Sequence, residues 1–507
     1  MGTNGYATIT LVDNGGAAIV VPNQNVQFVV GTSSAGTIGQ IVATRNPTTL
    51  NNTFGWGPLV EAAALACQSG GTVLACRATS ATAGANTAVT HTGTGLSVMT
   101  VTGAPFDTYF VSVLVMQNAT IGTASPAPLI QISLDAGRSY SPTINLGVAL
   151  TYLIPGTGIT LNFTTATIVA GDTYTFSTTE PLWNTAGLTV ALAALAASPY
   201  AQQGFGSIHI PGVSTTAAAG TNATDMTTVG GLLEAWASAA SPLYSQAIMS
   251  FRDALVPTAW GGTGETDTTW SGLVATAAGG VAQKTIAGCA AYYNMPSALV
   301  NPMGVVPQFR RSISYSVAAR TVTSGFTANR SWGRVKYGPM PYITINPLTM
   351  STDGFVYHNE SVNPGLNAAR CVTTLFRSYT QGVYVLQANN LATTGAQINS
   401  WPLISVASVA RTILIQVGQQ SINDDVRLLK SGLMDPRDVA TIQKGLQSAI
   451  DSNMTAMQLI SSASVVVDGT QNLISNGGEV PVTCTLVQRQ TILQVNITLQ
   501  YVNPAQS

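Results

Sequence analysis

The sequence predicts an α+β multidomain protein: an α/β core, an all-β sandwich-like domain inserted into it, and a C-terminal domain of helices plus sheet. Three observations carry this. The chain opens strand–helix–strand, the stretch 84–183 shows period-two patterning with no helical spacing, and two strongly periodic helices precede a run of terminal strands. With 507 residues there is room for about three domains.

The elements follow in order. Ala7, Ile9 and Leu11 alternate with Thr8 and Thr10, a strand pattern at the very terminus. The stretch Val26–Gly36 reads as a buried-type strand ending in a small-residue loop. Gly57-Pro58 opens a helix through Ala66, stopped by Ser69-Gly70-Gly71, and Thr72–Cys76 is the next strand. Between 84 and 183, short strands at 108–115, 129–134, 159–163 and 173–176 are separated by turn formers such as Asp135-Ala136-Gly137 and Pro155-Gly156, the texture of a β-sandwich. Alternation of helices and strands resumes with Leu188–Ala197, Ser207–Ile210 and Thr227–Ala239. A helix near Leu403–Gln419 follows. The next opens with Asp435 as N-cap and Pro436 at its first position. Strands at 464–467, 480–487 and 491–502 close the chain. In the last, Leu493, Val495, Ile497 and Leu499 share one face. The boundaries expected are 1–21 for an N-terminal arm, 22–83 with 184–377 for the core, 84–183 for the insertion, 378–489 for the C-terminal domain and 490–507 for a C-terminal arm.

Composition excludes several function classes. Charged residues are 8% of the chain, against a usual ~25%. Hydrophobic residues are an ordinary 46%, which excludes intrinsic disorder. A net charge of -1 and a pI near 6.3 argue against a nucleic-acid binder. Sparse charge near neutrality promotes association, so much of the surface is expected to meet other protein. Residues 1–283 hold four basic and eleven acidic groups, 284–377 nine basic and two acidic, and 378–507 six and seven. That unevenness would let copies of the chain attract one another, or is a local fluctuation on a sparsely charged surface.

No basic leader precedes an apolar run, since the first basic residue is Arg45, and the smooth apolar run Gly187–Ala197 is well short of a membrane span. Membrane insertion is not expected. Cys67, Cys76, Cys289, Cys371 and Cys484 lack metal spacing and read as buried thiols of a reducing compartment. Cys484, in a late strand, is the candidate for a cross-link between subunits.

A search for catalysis is negative. His91, His209 and His358 are isolated and read as structural. Gly31-Thr32-Ser33-Ser34-Ala35 departs from the nucleophile elbow at its last position. Gly279–Thr285 has Gln283 where a phosphate loop needs Gly before Lys284. Arg310, Arg311, Arg320, Arg330, Arg334 and Lys336, interleaved with aromatic residues, suit nucleic acid or an inter-subunit patch, and the neutral whole favours the patch.

Val29–Gly36, Gly55–Ala62 with Gly70–Val73, Arg370–Thr374, Ile422–Asp425 and the paired helices before terminal strands, in this order and spacing, resemble the contractile tail sheath proteins of bacteriophages and related injection machines. Thr373-Thr374 resembles the Mu-like branch. The resemblance covers most of the chain. It implies a non-enzymatic subunit without cofactor or metal, stacked as hexameric rings around a tail tube, with baseplate and tail terminator proteins as further partners and no direct nucleic-acid contact. It implies assembly in the host cytoplasm, a place in the virion tail, and contraction that drives the tube through the host envelope. The C-terminal sheet would be completed by neighbours' arms, with Ala7, Ile9, Leu11, Leu493, Val495, Ile497 and Leu499 as the strand residues. Arg437 and Lys444 are candidate tube contacts. Two alternatives stand: a virion decoration or receptor-binding protein using the β insertion, and, far behind, a hydrolase with Ser33 or Ser34 as nucleophile.

Overall fold

The strand Val26–Gly31 is the centre from which the first part of the fold is built. Its side chains alternate between two apolar layers, Phe28 and Val30 facing one and Val29 the other, so it must be covered on both faces. The computed structural model describes residues 25–200, 206–214, 222–238, 246–254, 264–323, 332–343, 355–377, 382–393, 395–396, 398–421, 425–475 and 477–489. They form a mixed α+β, multi-sheet protein. Two compact units divide it, Met1–Ile415 and Gln416–Ser507.

In the first unit a six-stranded sheet has the order Ile286–Cys289, Ala247–Ser250, Ser207–His209, Val26–Gly31, Thr72–Arg77, Ile41–Thr44. All neighbours are parallel except the last pair. Helices Pro47–Phe54, Pro58–Gln68 and Ile313–Thr321 contribute to one layer, and Thr185–Ala196, Ala223–Ser238 and Asp267–Gly279 to the other. The short helix Pro47–Phe54 is started by Asn46, whose side chain accepts the Thr48 N–H at 2.9 Å, and by Pro47 at its first turn. It is held by burial of Leu50 and Phe54.

Residues 84–183 contain strands and no helix. A five-stranded antiparallel sheet in the order Ile144–Asn145, Leu129–Ser133, Phe110–Val115, Thr173–Ser177, Thr90–Thr92 shares one apolar core with the three-stranded sheet Thr151–Ile154, Ile159–Phe163, Met99–Thr102. Phe309, from the strand Gln308–Ser312 outside this stretch, is part of that same core.

The division between the units falls inside the helix Trp401–Gln420. By length and composition this helix could cross a membrane, but Trp401, Ile404, Val406, Val409, Ala410 and Ile413 are buried in protein. In the second unit, the helix Pro436–Ile450 packs on the hairpin of Ile460–Val467 and Val482–Gln488.

Candidate assembly surfaces

The second unit is organised by its helix. The Asp435 side chain accepts the Arg437 N–H at 2.8 Å, and Pro436 supplies the preset backbone of the first turn. Asp438 in that turn binds Arg427 at 2.5 Å, and those hydrogen bonds hold its carboxyl below the ordinary range. Leu446 and Ile450 point into the small core with Val465 and Val467. On the flank, Gln447 Oε1 accepts the Val465 N–H at 2.8 Å and its Nε2 donates to the Ala463 carbonyl at 3.2 Å. One turn earlier, Gln443 Oε1 accepts the Val467 N–H at 3.3 Å. A groove of about 650 Å³ runs along the helix, lined by Pro436, Val439, Ala440, Lys444, Gly469 and Thr470 among others.

Of the residues singled out in the sequence, Arg437 and Lys444 are exposed on this helix, and Lys444 lines the groove. Cys484 is half-buried in the second hairpin strand, opposite Val465, and burial pushes its thiol up. The other four cysteines are buried, with Cys67 and Cys76 pushed up to about 11 by the same cause. Ala7, Ile9, Leu11, Leu493, Val495, Ile497 and Leu499 lie outside the described residues.

The histidines are structural. His209 is fully buried in its strand, and desolvation lowers it to about 3, so it is neutral. His91 stacks on Tyr174 with ring centroids 4.4 Å apart, and lies 3.7 Å from Asp172. His358 has both ring nitrogens engaged, Nδ1 with Asp267 at 2.9 Å and Nε2 with Glu360 at 3.0 Å. Burial works against its charge, but the two carboxylates outweigh it and raise its pKa. With no ring nitrogen left over, it can take no proton from a substrate. Ser33 Oγ donates to the Ala35 carbonyl and Ser34 Oγ accepts the Trp56 N–H. Neither serine pairs with a histidine or carboxylate among the described residues. Lys284 follows a helix C-terminus, the wrong end for a phosphate. No cluster among the described residues could hold a metal ion.

The basic stretch corrects the sequence reading in part: Arg334 and Lys336 are exposed, and Arg330 lies outside the described residues. Arg310, Arg311 and Arg320 form no surface patch; all three are buried. Arg310 binds Asp253 at 2.5 Å and Arg311 holds Asp107 through two bonds of 2.7 and 2.6 Å. Arg320 donates to the Trp332 carbonyl at 3.0 Å. The Arg311–Asp107 pair ties the β-rich stretch to the rest of the first unit. Beside it, Asp135 accepts the Gln308 N–H at 3.1 Å. Glu61 and Glu180 stand in the same electrostatic field. Burial raises both, Glu180 to about 7 with the Asp107 charge adding to the rise, while Arg311 lowers each. Sequence reasoning missed this pairing because 204 positions separate Arg311 from Asp107. It missed Gln443 and Gln447 as well, though their i, i+4 spacing on a predicted helix was a usable signal.

No protein-family model matches the sequence, and no curated protein matches it. Among solved structures, the chain is similar to a sheath tail protein from Desulfitobacterium hafniense, with 10% identity, 95% of this chain and 100% of that chain covered, and a TM-score of 0.45. It is similar to a sheath tail protein from Listeria innocua, with 12% identity, coverage of 93% and 96%, and a TM-score of 0.41. A chain of the sheath complex of an extracellular contractile injection system in the contracted state matches with 12% identity, coverage of 52% and 65%, and a TM-score of 0.35. The structural similarity to sheath tail proteins thus extends over most of the chain.

Proposed function

We propose that the chain is the structural subunit of a contractile tail sheath. It polymerises as stacked hexameric rings around a tail tube, and the segments 1–21 and 490–507 act as arms that add strands to neighbouring copies. The observation that carries this is the C-terminal hairpin, a two-stranded sheet whose strand Val482–Gln488 has, among the described residues, a strand partner on one side alone. An isolated two-stranded sheet is marginal in water and an open edge is a template for strand addition. Two alternating, nearly uncharged terminal segments match that need.

Contraction is then a downhill change of subunit packing that needs no nucleotide, and drives the tube through the host envelope. Tube, baseplate and tail terminator proteins are the partners, Arg437 and Lys444 face the tube, and the assembled protein resides in the virion tail. Cys484 lies on the strand that receives an arm, where a cross-link between subunits would form. The role is mechanical, with no catalytic residue, metal or cofactor assigned.

Negative-stain electron microscopy of the purified chain across a concentration series, alone and with tail tube, tests this: ordered hollow tubes are expected. Deletion of 1–21 or of 490–507 should abolish them while leaving a folded subunit. Normal tubes from both truncations would sink the arm mechanism.

A further inference from the structure

His358 belongs to an irregular strap, residues 355–373, that leads into the strand Thr374–Arg377. Its side chain is buried between two carboxylates that reach it from different elements. Asp267, in the first turn of the helix Asp267–Gly279, meets Nδ1 at 2.9 Å, and Glu360 of the strap itself meets Nε2 at 3.0 Å. The Trp270 ring of the same helix has its centroid 5.9 Å from that of the imidazole. Behind the ring, the Tyr293 hydroxyl donates to the His358 carbonyl at 2.9 Å and fixes the backbone.

The geometry counts protons. A carboxylate accepts hydrogen bonds and donates none, whereas a neutral imidazole carries one N–H. Two carboxylate contacts therefore require one proton more than the neutral ring holds. Both carboxylates have reasons of their own to stay ionised. Glu360 Oε1 accepts the Gly365 and Asn367 N–H groups, each at 2.9 Å. Asp267 accepts the Asn363 amide at 3.2 Å, beside the positive end of its helix. The extra proton accordingly sits on the ring. Around the cluster, burial pushes the Tyr293 hydroxyl and the Cys371 thiol up, so both are neutral. Arg310, which acts on Tyr293, is engaged by Asp253. The cation that the two carboxylates bond is His358 itself.

The strap also reaches the β-rich stretch. Phe355, three residues before the histidine, packs on Phe110 with ring centroids 4.7 Å apart, and Arg138 lies over the Phe355 ring at 5.8 Å. Arg310 donates to the Val356 carbonyl at 2.6 Å.

We propose that His358 is a proton-operated latch, whose imidazolium clamps the strap to the helix Asp267–Gly279. Loss of the proton turns a lone pair toward a carboxylate, lifts residues 358–367 from the helix and loosens the seat of Phe355 on the β-rich stretch. The latch goes beyond the assembly reading above and stands without it. It is fully closed below the ordinary histidine value of about 6.5. Because the carboxylates raise the folded value, it opens as pH climbs through that higher value.

The full-length chain carrying isotope-labelled histidine gives the first readout, since three histidines are easily told apart. At about pH 7 one of them should show both ring nitrogens protonated by nuclear magnetic resonance, and that signal should vanish in His358→Gln. Hydrogen exchange, expressed as protection factors, gives the second. Over 355–367 protection should fall with a slope approaching about tenfold per pH unit, that of a single proton, while Val26–Gly31 stays protected. Asp267→Asn removes one charge and offers an amide N–H to the deprotonated ring nitrogen. Its strap should remain closed at about pH 9, where that of the parent has opened. A neutral His358 at neutral pH, protection over 355–367 that does not vary with pH, equal loss of protection over Val26–Gly31, or opening of Asp267→Asn at the same pH as the parent would each overturn the latch.

Discussion

Replacing Arg311 by Met perturbs the joint between the β-rich stretch and the rest of the first unit. In the parent, the guanidinium holds Asp107 bidentately with both side chains nearly inaccessible to water, at 5% and 2% exposure. Met fills much of the volume but leaves Asp107 buried without its counter-ion. Breaking one side of a buried pair costs about 3–5 kcal/mol, because the surviving charge keeps its desolvation penalty. For a unit as long as Met1–Ile415 the unfolding entropy makes each kcal/mol worth roughly 1 °C, so the melting temperature should fall by roughly 3–6 °C.

The loss should depend on pH in one direction. Glu61 and Glu180 are raised by burial, and Arg311 is what restrains that rise. Without it, the carboxyl groups of Glu61 and Glu180 titrate still higher in the folded state than in the unfolded one. Such groups bind more protons when folded, so stability declines as pH climbs from their unfolded values through their folded ones. The deficit of Arg311→Met should therefore be smaller near about pH 5 than near about pH 8, the range that brackets the shifted carboxyls. Urea unfolding followed by tryptophan fluorescence at both pH values gives the numbers. Arg311→Met combined with Asp107→Leu should recover a large part of the loss, since an apolar replacement of the whole pair removes the stranded charge. A deficit that does not vary with pH, or a double variant no more stable than the single one, would refute the argument.

Three further outcomes are expected. His358, raised by Asp267 and Glu360, contributes stability that is complete below its unfolded pKa of about 6.5 and lost as pH rises through its folded value; His358→Gln should flatten that decline in a pH series of thermal melts. A Cβ on Gly84 would stand 2.2 Å from the Pro105 carbonyl oxygen and 2.6 Å from that of Thr179, so Gly84→Ala should destabilise the point where the chain enters and leaves the β-rich stretch, seen as raised protease cleavage near residues 84 and 180. Maleimide labelling of the native chain should modify Cys484 well before the four buried thiols, and all five should react in denaturant.

Much of the fold is legible because its periodicities are strong. Val26–Gly31, Thr72–Arg77 and the helix capped by Asp435 and Pro436 stand where apolar spacing and turn chemistry put them. Elements without a pattern were hidden. Pro47–Phe54 is a helix of Thr and Asn residues with weak helical preference, made by a cap and two buried side chains. Ile313–Thr321 is buried on every side, so no amphipathic stripe marks it, and its neighbourhood reads as a basic surface. The open edge of the hairpin was invisible for another reason. Alternation in a strand says which side chains share a face, but not which backbone edge a distant glutamine will seal.

The burial of the arginines bears on how subunits meet. The segment 284–377 carries most of the chain's excess positive charge, and the first 283 residues most of its excess negative charge. Arg310 pairs with Asp253 and Arg311 with Asp107, so part of that imbalance is cancelled inside one chain. An attraction between copies that relied on the two segments would have fewer charges to use than their counts suggest. Beside the exposed charges that remain, such as Arg334, Lys336, Arg437 and Lys444, the described residues offer uncharged features for association: an open backbone edge, half-covered apolar side chains and Thr-rich strand faces. Contacts of that kind are short-ranged and little affected by salt, whereas ion pairs at an exposed interface are screened within about 8 Å at physiological ionic strength. A sheath held by strand addition should accordingly keep its linkages as ionic strength rises. Tubes that dissociate into subunits in moderate salt would place the main attraction on charge and remove the strand edge from the centre of the assembly.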